Sequence, residues 1–401
     1  MRSDGGGLVY PVPKGWQCRT VNDIKSAERN SCVAGPFGSE IASRYFSDDG
    51  VPVIRGCNLT ADLSRFVADG FVFVSEERAQ QYVPQHVRAG DLVFTCWGTV
   101  GQVGLIPQDG PYDEYIISNK QLKLRVNPEI ADPEFCFYYF ASPKFVDHIK
   151  SRGIGGAVPG INLGILKSLR IALPPKAVQR SIAAFLNAFD AQIDNNRRRI
   201  KLLEDSVRLL FDEWFARLRF PGHELAAAVD GVPVGWTREP LGGSVVLRYG
   251  KALKAEDRSA DGDVPVYGSS GVVGTHDKPM VTGPAIIVGR KGNVGSVFWC
   301  ARDFWPIDTV YFVDAPTSDL YLYYALRNMH FISTDVAVPG LNRDLAYSRP
   351  LLSPPAELRA RFLEVAGPIH LQIDMLAAIS VKLRTARDLL LPRLMSGELT
   401  V

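Results

Sequence analysis

The stretch AVPGINLGILKSLRIALPPKAVQ begins at Ala157, and AVPGLNRDLAYSRPLLSPPAELR begins at Ala337, 180 positions later. Pro159, Gly160 and Asn162 recur as Pro339, Gly340 and Asn342, and Pro174-Pro175 recurs as Pro354-Pro355. The register holds on to Gln192-Ile193-Asp194, repeated as Gln372-Ile373-Asp374. Near the start, Val12-Pro13-Lys14-Gly15-Trp16 has its partner in Val232-Pro233-Val234-Gly235-Trp236, at an offset of 220. Solenoid repeats have periods of roughly 20 to 50 residues, so this repeat is of another kind. It reads as a duplicated domain whose ends are kept and whose interior has drifted. The first copy is the longer by forty residues between its Trp and its Pro-Gly-Asn. Inside the copies the match is looser: Gly98-Thr-Val-Gly101-Gln-Val-Gly104 is set against Gly289-Arg-Lys-Gly292-Asn-Val-Gly295, and Tyr138-Tyr139 against Tyr323-Tyr324.

A chain of 401 residues is long enough for two or three domains with real cores. The opening residues 1–7 contain no apolar stretch of signal-peptide kind, and no run approaches the ~18 to 20 apolar residues of a membrane span, which points to a cytoplasmic protein. The cysteines at 18, 32, 57, 96, 136 and 300 show no C-x-x-C spacing and read as reduced, mostly buried thiols. A net charge of +2 argues against a chain that grips DNA strongly by itself.

Glycines and prolines punctuate residues 31–176 and 240–354, and apolar runs of strand length lie between them, among them Leu92-Val93-Phe94, Ala285 to Val288 and Thr309 to Val313. Short helices are expected over Pro133 to Ser151 and Asp319 to Asn328. Each Pro-Pro pair demands extended chain before it and suits the first turn of a helix after it. From Ala177 to about Leu218 there is neither proline nor glycine. In that stretch Ile182, Phe189, Asn196, Leu203 and Leu210 share one heptad position, while Leu186, Ile193, Ile200, Val207 and Trp214 share the other. A helix of about 40 residues is roughly 60 Å long and needs a partner helix. Residues 357–391 supply it, with a stripe of Phe362, Ile369, Ile373, Leu376, Leu383, Leu390 and Leu394. Pro368 is expected to start or kink this helix, and Pro392 to bend its last turn.

The fold class is therefore α/β: two domains with mixed or antiparallel sheets, residues 1–176 and 221–354, joined by two long antiparallel helices, 177–220 and 355–401, with pseudo-twofold symmetry. Asn196 has two readings, a polar residue that sets the helix register or a residue carried to the surface by helix curvature. The run Arg197-Arg198-Arg199 with Lys201 reads as a solvated face or as a phosphate contact.

The search for chemistry is mostly negative. There is no G-x-x-x-x-G-K-[ST]. The histidines at 86, 148, 223, 276, 330 and 370 form no metal-binding spacing, so no metal is expected. The glycine-rich stretches have the wrong spacing for a dinucleotide loop and read as hairpin turns. Their tips differ, Thr99 and Gln102 in the first copy against Arg290, Lys291 and Asn293 in the second. Such side chains read base edges or hold phosphates. Neighbouring candidates are Arg55 and Asn58 in the first copy, and Lys251, Lys254, Tyr267, Ser269, Ser270 and His276 in the second. Two similar frames with different polar inserts suit a protein that reads two different things.

This arrangement resembles the specificity subunit of type I restriction–modification enzymes. The resemblance rests on Gly35-Pro-Phe-Gly-Ser39 and Val51-Pro-Val-Ile-Arg55, and on Pro265-Val-Tyr-Gly-Ser-Ser-Gly271, the glycine-rich stretch from Gly289 to Gly295 and Trp305-Pro-Ile-Asp-Thr309. It rests also on the two Pro-Pro-plus-helix segments and the ending Leu389-Leu-Leu-Pro-Arg-Leu-Met-Ser-Gly-Glu-Leu399. It implies two target-recognition domains on a helical spacer, each reading one half of a split site in double-stranded DNA. It implies methyltransferase subunits, two in number, that bring S-adenosylmethionine, and restriction subunits that work with ATP and Mg; this chain itself would hold no cofactor. Catalysis by this chain is not expected, because an adenine amino-methyltransferase needs Asp or Asn before Pro-Pro and an aromatic after it. Here the pairs read Leu173-Pro-Pro-Lys176 and Ser353-Pro-Pro-Ala356. A purely protein-binding scaffold is one rival reading, and it predicts no sequence preference on DNA; a stand-alone enzyme is another, and the missing nucleophile, metal and cofactor signatures weigh against it.

Overall fold

The computed structural model describes residues 7–401 except 39, 152–159, 230, 260–261, 330 and 332–339, so Ser39, Pro159 and Pro339 of the sequence motifs lie outside the described residues. The chain forms two units, Met1–Asp194 with Ser380–Val401, and Asn195–Ile379. Unit 1 holds strands β1 (Gln17–Thr20), β2 (Cys32–Ala34), β3 (Val51–Ile54), β4 (Val72–Val74), β5 (His86–Val87), β6 (Leu92–Thr95), β7 (Val103–Leu105), β8 (Tyr115–Ile117), β9 (Gln121–Leu124) and β10 (Arg170–Leu173). Its helices are α1 (Val21–Ile24), α2 (Glu76–Ala79), α3 (Pro133–Ala141), α4 (Pro143–Ser151), α5 (Leu163–Ser168) and the start of α6 (Lys176–Phe211). Unit 2 holds β11 (Ala228–Val229), β12 (Val232–Pro233), β13 (Thr237–Pro240), β14 (Arg248–Tyr249), β15 (Val264–Gly268), β16 (Gly271–His276), β17 (Ala285–Gly289), β18 (Val297–Cys300), β19 (Trp305–Pro306), β20 (Val310–Val313) and β21 (Pro350–Ser353). Helices α7 (Leu320–Arg327), α8 (Arg343–Tyr347) and most of α9 (Ala356–Met395) complete it.

The repeated words of the sequence meet in each unit. β1 pairs antiparallel with β10, Gln17 opposite Leu173, and β13 pairs antiparallel with β21, Thr237 opposite Ser353. The two ladders share one register, so the opening kept at offset 220 is zipped to the close kept at offset 180. Asn162 and Asn342 are the N-caps of α5 and α8: their side chains accept from Ile165 N–H and Asp344 N–H, each at 2.8 Å. The Pro-Pro pairs end β10 and β21 and open α6 and α9.

Between these ends each unit has two sheets. Four strands in the order β2-β9-β6-β7 in unit 1 correspond to β14-β20-β17-β18 in unit 2. The second sheet is β4-β3-β8-β5 in unit 1 and β16-β15-β19 in unit 2, so β5 is an addition. Both second sheets contain one parallel pair, Val53 beside Ile116 and Val266 beside Trp305. The four-stranded sheet lies in the middle of each unit, and strand alternation shows it. Phe94 packs with the helical core while Val93 faces the second sheet; Ile286 and Val288 pack with the helices while Ala285 and Ile287 face the second sheet. About half of the extra chain of unit 1 lies around β5, where the offset between equivalent residues drops from 213 at Ile54/Tyr267 to 194 at Trp97/Lys291; most of the rest lies between Trp97 and Gly160. The helix expected over Pro133 to Ser151 is two helices broken at Ser142, whose extended backbone ends α3.

α6 begins in unit 1 and ends in unit 2, and α9 does the reverse. In unit 1, Ile182 and Leu186 of α6 share a core with Leu391, Leu394 and Met395 of α9. In unit 2, Val207 and Phe211 share a core with Phe362 and Ala366. In each unit the two segments run antiparallel. The α6 seam (Ile182, Leu186, Phe189, Ile193, Asn196, Ile200, Leu203, Val207, Leu210, Trp214) is buried or half-buried throughout. Asn196 is therefore a seam residue and not a surface one, whereas Arg197, Arg198, Arg199 and Lys201 are exposed. The α9 seam adds Ala366, Ser380 and Arg387 to the apolar stripe, filling a 4-3 spacing from Phe362 to Leu394.

Two expectations are corrected here. α9 runs unbroken through Pro368 and Pro392, so it does not start at Pro368; Pro368 faces solvent, and buried neighbours on either side, Ala366 and His370, then Leu391 and Leu394, keep the helix continuous against the local cost of the ring. The other concerns apolar runs, since one 18-residue window of α9 is apolar enough, by composition, to cross a membrane. Its seam is protein-packed instead, and it carries His370 buried against Tyr324. At the C-terminal end of α6 the expected α-helix gives way at Asp212–Ala216 to a π-turn, closed by Arg217 N–H to Asp212 O (2.8 Å).

The helices are tied to the heads by polar groups that differ between units. In unit 1, Arg387 pairs with Asp190 at 2.5 Å, both nearly buried; Tyr138 donates to Asp190, and Arg387 also donates to the carbonyl of Asp62 (3.1 Å). In unit 2, the matching helix position is His370, which bonds Tyr324 at 2.9 Å. Removing one partner of a buried ion pair costs about 3–5 kcal/mol. Asp190→Leu should therefore lower the unfolding free energy of unit 1 by about that amount, and Asp190→Leu/Arg387→Leu should recover most of it, as read by denaturant unfolding. Burial, with Arg327 nearby, pushes the His370 imidazole down to about 4 from 6.5. As pH falls below 6.5 the unfolded chain takes up the proton first, so unit 2 should lose stability between pH 6.5 and about 4. His370→Phe should flatten that slope in thermal melts.

Candidate nucleic-acid interface

The hairpin β6–β7 in unit 1 and the hairpin β17–β18 in unit 2 carry the glycine-rich tips. Backbone bonds set their equivalence. Cys96 N–H donates to Lys120 O (2.8 Å) and Cys96 O accepts from Ile161 N–H (3.0 Å); Arg290 N–H donates to Thr309 O (2.9 Å) and Arg290 O accepts from Leu341 N–H (2.8 Å). Trp97 then bridges Gly160 as Lys291 bridges Gly340. The matching stretches are thus Trp97-Gly-Thr-Val-Gly101 and Lys291-Gly-Asn-Val-Gly295, three residues away from the expected alignment of Gly98 with Gly289. Gly98, Gly101, Gly292 and Gly295 all have positive φ, between +78° and +101°, which is why the four glycines hold these places.

In unit 1 the tip and its neighbours line a cleft of ≈ 410 Å³ that includes Arg55, Trp97, Thr99, Asn119 and Lys120. Thr99 Oγ1 donates to Gln102 Oε1 (2.6 Å), and Thr95 donates to the same oxygen (3.2 Å). The Arg55 guanidinium is half-buried and donates to Gly70 O (2.9 Å). Asn58 is the correction in this unit. It is fully buried, accepts from Arg55 N–H (2.9 Å) and donates to the carbonyls of Val67 (2.9 Å) and Asp69 (2.8 Å). Its amide is spent on holding the loop behind the cleft, which leaves nothing to offer a base.

In unit 2 the structure brings together Ser269, Ser270, Arg290, Lys291 and Asn293. Asn293 Nδ2 donates to Ser270 Oγ (3.3 Å), and Asn293 N–H donates to Ser269 Oγ (3.3 Å). Ser269 is buried and positions the tip, while Ser270, Lys291 and Asn293 are exposed. The Arg290 guanidinium donates to Asp308 O (3.0 Å) and lies 5.1 Å from the ring of Tyr249, which Arg343 approaches to 5.3 Å. Such cation–π contacts hold a guanidinium in place without neutralising it.

The remaining expected residues of unit 2 are placed elsewhere. The Tyr267 ring packs on Phe298 and Phe304, and burial beside Cys300 pushes its hydroxyl well above the usual range. It is a core residue. His276 pairs with Val264 at the opposite end of β15 from the tip and stacks edge-on against Trp305 (5.2 Å). Lys251 is exposed beside Trp305, whose indole N–H donates to the Lys251 carbonyl (3.0 Å), and Lys254 is exposed and pairs with Glu256 (3.3 Å). Among the described residues no group of three or more His, Cys, Asp or Glu is placed to hold a metal. The residues that sequence reasoning missed are Trp97, Lys120, Tyr249 and Arg343. Only Trp97 had a signal, the Gly-x-Val-Gly shared with Lys291 onward.

Residues 46–205 match the family described as type I restriction modification DNA specificity domain. A specificity subunit of the type I restriction enzyme MjaIX from Methanocaldococcus jannaschii is 20% identical over 98% of this chain and 95% of its own length. The EcoBI specificity subunit of Escherichia coli is 25% identical over 49% of this chain and 41% of its own. Residues 46–205 are thus similar to the type I DNA specificity domain, and a relative of low identity extends the likeness over nearly the whole chain. A solved S subunit from M. genitalium, 17% identical, has the same fold over 96% of this chain and 98% of its own, with a TM-score of 0.58. The matched region begins just before β3 and runs into α6, so it takes in the unit 1 cleft and its tip.

Because Asn58 is structural, Asn58→Ala should destabilise unit 1 by about 2 kcal/mol and leave the sequence preference of the folded protein unchanged. Unfolding curves together with a binding-site selection on folded protein check this.

Proposed function

We propose that this chain is the non-catalytic reader of a type I restriction–modification complex, and that each unit reads one half of a bipartite site in double-stranded DNA. The observation that carries this reading is one frame bearing two different tips: Trp97, Thr99 and Gln102 in unit 1 stand where unit 2 has Lys291, Asn293 and Ser296. A shared frame with altered tip chemistry is what two half-sites of different sequence require, since base identity is read by side-chain donors, acceptors and apolar groups in the groove. A good bidentate contact supplies about 1–3 kcal/mol of discrimination.

Methyltransferase subunits, two in number, dock on α6 and α9 and bring S-adenosylmethionine; restriction subunits that use ATP and Mg join them, all in the cytoplasm. Support for docking comes from apolar side chains that the helices leave in water. In unit 2, Leu371, Met375 and Ile379 are exposed one turn apart on α9, and Leu202 and Leu209 two turns apart on α6. A helix whose seam is already buried and which shows a second apolar stripe suits a partner helix. Partner subunits that share the phosphate contacts also account for a reader of net charge +2.

The test is adenine methylation across the native genome, by single-molecule sequencing, with and without this gene. Loss of one split motif is expected; an unchanged methylome with the partner genes expressed would return the chain to the scaffold reading. Arg290→Ala should relax or abolish recognition of one half-site by about tenfold or more while the other keeps its identity. Simultaneous loss of both identities would overturn the assignment of one half to each unit.

A further inference from the structure

The shared frame equates the two faces position by position. Gly35 and Gly250 are equivalent: their N–H groups donate to Gln121 O (2.8 Å) and Val310 O (3.2 Å), and a Cβ on either would lie about 2 Å from the carbonyl oxygen of Ser118 or Ile307. Phe37 then stands where unit 2 has Ala252, next to Lys251. Trp97 stands where unit 2 has Lys291, Cys96 where it has Arg290, and Ala34 where it has Tyr249.

Phe37 is 89% exposed and Trp97 43%. Phe37 N–H donates to the Glu40 carboxylate (3.2 Å), Glu40 N–H returns to Phe37 O (3.2 Å), and Asn119, which lines the cleft, donates to Gly38 O (2.9 Å). The six-membered edge of Trp97 lies over Gly160, where a Cβ would come within 2.4 Å of the ring. The indole is therefore set close against the Gly160 backbone while part of it stays exposed. Trp97 lines the cleft together with Arg55 and Lys120, and the loop that carries Phe37 is tied to that cleft through Asn119, so exposed aromatic surface stands near cationic side chains.

We propose that the two units hold DNA by different physical means: unit 1 through apolar contact of Phe37 and Trp97 with groove edges, thymine methyl groups above all, and unit 2 through the cations Arg290, Lys291 and Arg343. This rests on the reading of the chain as a DNA reader. The chemistry follows from the groove, where the thymine C5-methyl is the apolar feature of an A·T pair and phosphate or guanine is the natural partner of Arg and Lys. Unit 1 recognition then depends on salt only through its bordering cations Arg55 and Lys120, and less steeply than unit 2 recognition, which falls with salt through counterion release.

The test uses the complex purified from the native host through a tag on this chain, with duplexes that carry the mapped site or a scrambled one, titrated in KCl. Phe37→Ala should weaken cognate binding at least about fivefold with the slope of log K against log salt unchanged. Lys291→Gln should make that slope shallower by about 0.9 for each phosphate that is no longer neutralised. Trp97→Lys, which gives unit 1 the side chain that unit 2 carries there, should steepen it. Deoxyuridine in place of thymidine in the unit 1 half-site should weaken the wild type, with the loss smaller in Phe37→Ala and absent in Phe37→Ala/Trp97→Ala. Wild-type binding by Phe37→Ala, or indifference of the wild type to uracil, overturns the proposal while the reader function stands. Equal binding of cognate and scrambled duplexes by the wild type overturns the reader function itself.

Discussion

Everything else in each unit hangs on one antiparallel strand pair that closes the longest loop in it. β1 meets β10 across 150 residues of chain, and β13 meets β21 across more than 100, in the same register. Closing a longer loop costs little more than closing a shorter one, because the entropy grows only with the logarithm of length. The clamp can therefore tolerate an interior that is forty residues longer in one copy than in the other. The pair also fixes where the chain leaves the head, since Pro174-Pro175 and Pro354-Pro355 follow directly and turn it into α6 and α9.

The exchange of helices has a consequence for the cores. Leu391, Leu394 and Met395 are essentially inaccessible in a unit whose other residues come from the first half of the chain. Unit 1 is thus completed only when the last helical turns arrive, and Arg387 brings the countercharge for Asp190 with them. In unit 2 the corresponding seam position, Val207, is apolar, and the helix position matching Asp190 is a neutral His370 bonded to Tyr324. A buried charge finds its partner in one of the two pairings and not in the other. That difference distinguishes two helical segments that are otherwise near-copies.

How far the chain is legible in its sequence varies with the kind of signal. The α6 seam is legible because a heptad needs only spacing, and every residue named for it is buried or half-buried. The α9 seam is legible at its apolar positions but hides Ser380 and Arg387, since nothing local marks an arginine as buried until Asp190 is set beside it. Pro368 and Pro392 carry a local cost that the sequence shows, and the packing of Ala366, His370, Leu391 and Leu394, which it does not show, outweighs that cost. The glycine-rich loops are visible in the sequence but align there three residues out, because identity at spaced glycines is a weak signal beside the backbone bonds of Cys96 and Arg290. Val51-Pro-Val-Ile54 and Val264-Pro-Val-Tyr267 occupy equivalent strands, and their shared three residues are too short a match to stand out without the sheets.

The sequence by itself determined the duplication, the two long helices and the class of fold, because repeats, heptads and proline pairs are properties of order along the chain. Only the tertiary structure decided which polar residues face outward. Asn58, Tyr267 and Ser269 have the side chains of base readers, yet buried hydrogen bonds and ring packing claim them. Phe37, Trp97, Tyr249 and Arg343 look ordinary, yet the sheets and hairpins set them on the open faces. Exposure and partnership are sums over residues far apart in the chain, and no short stretch of sequence contains them.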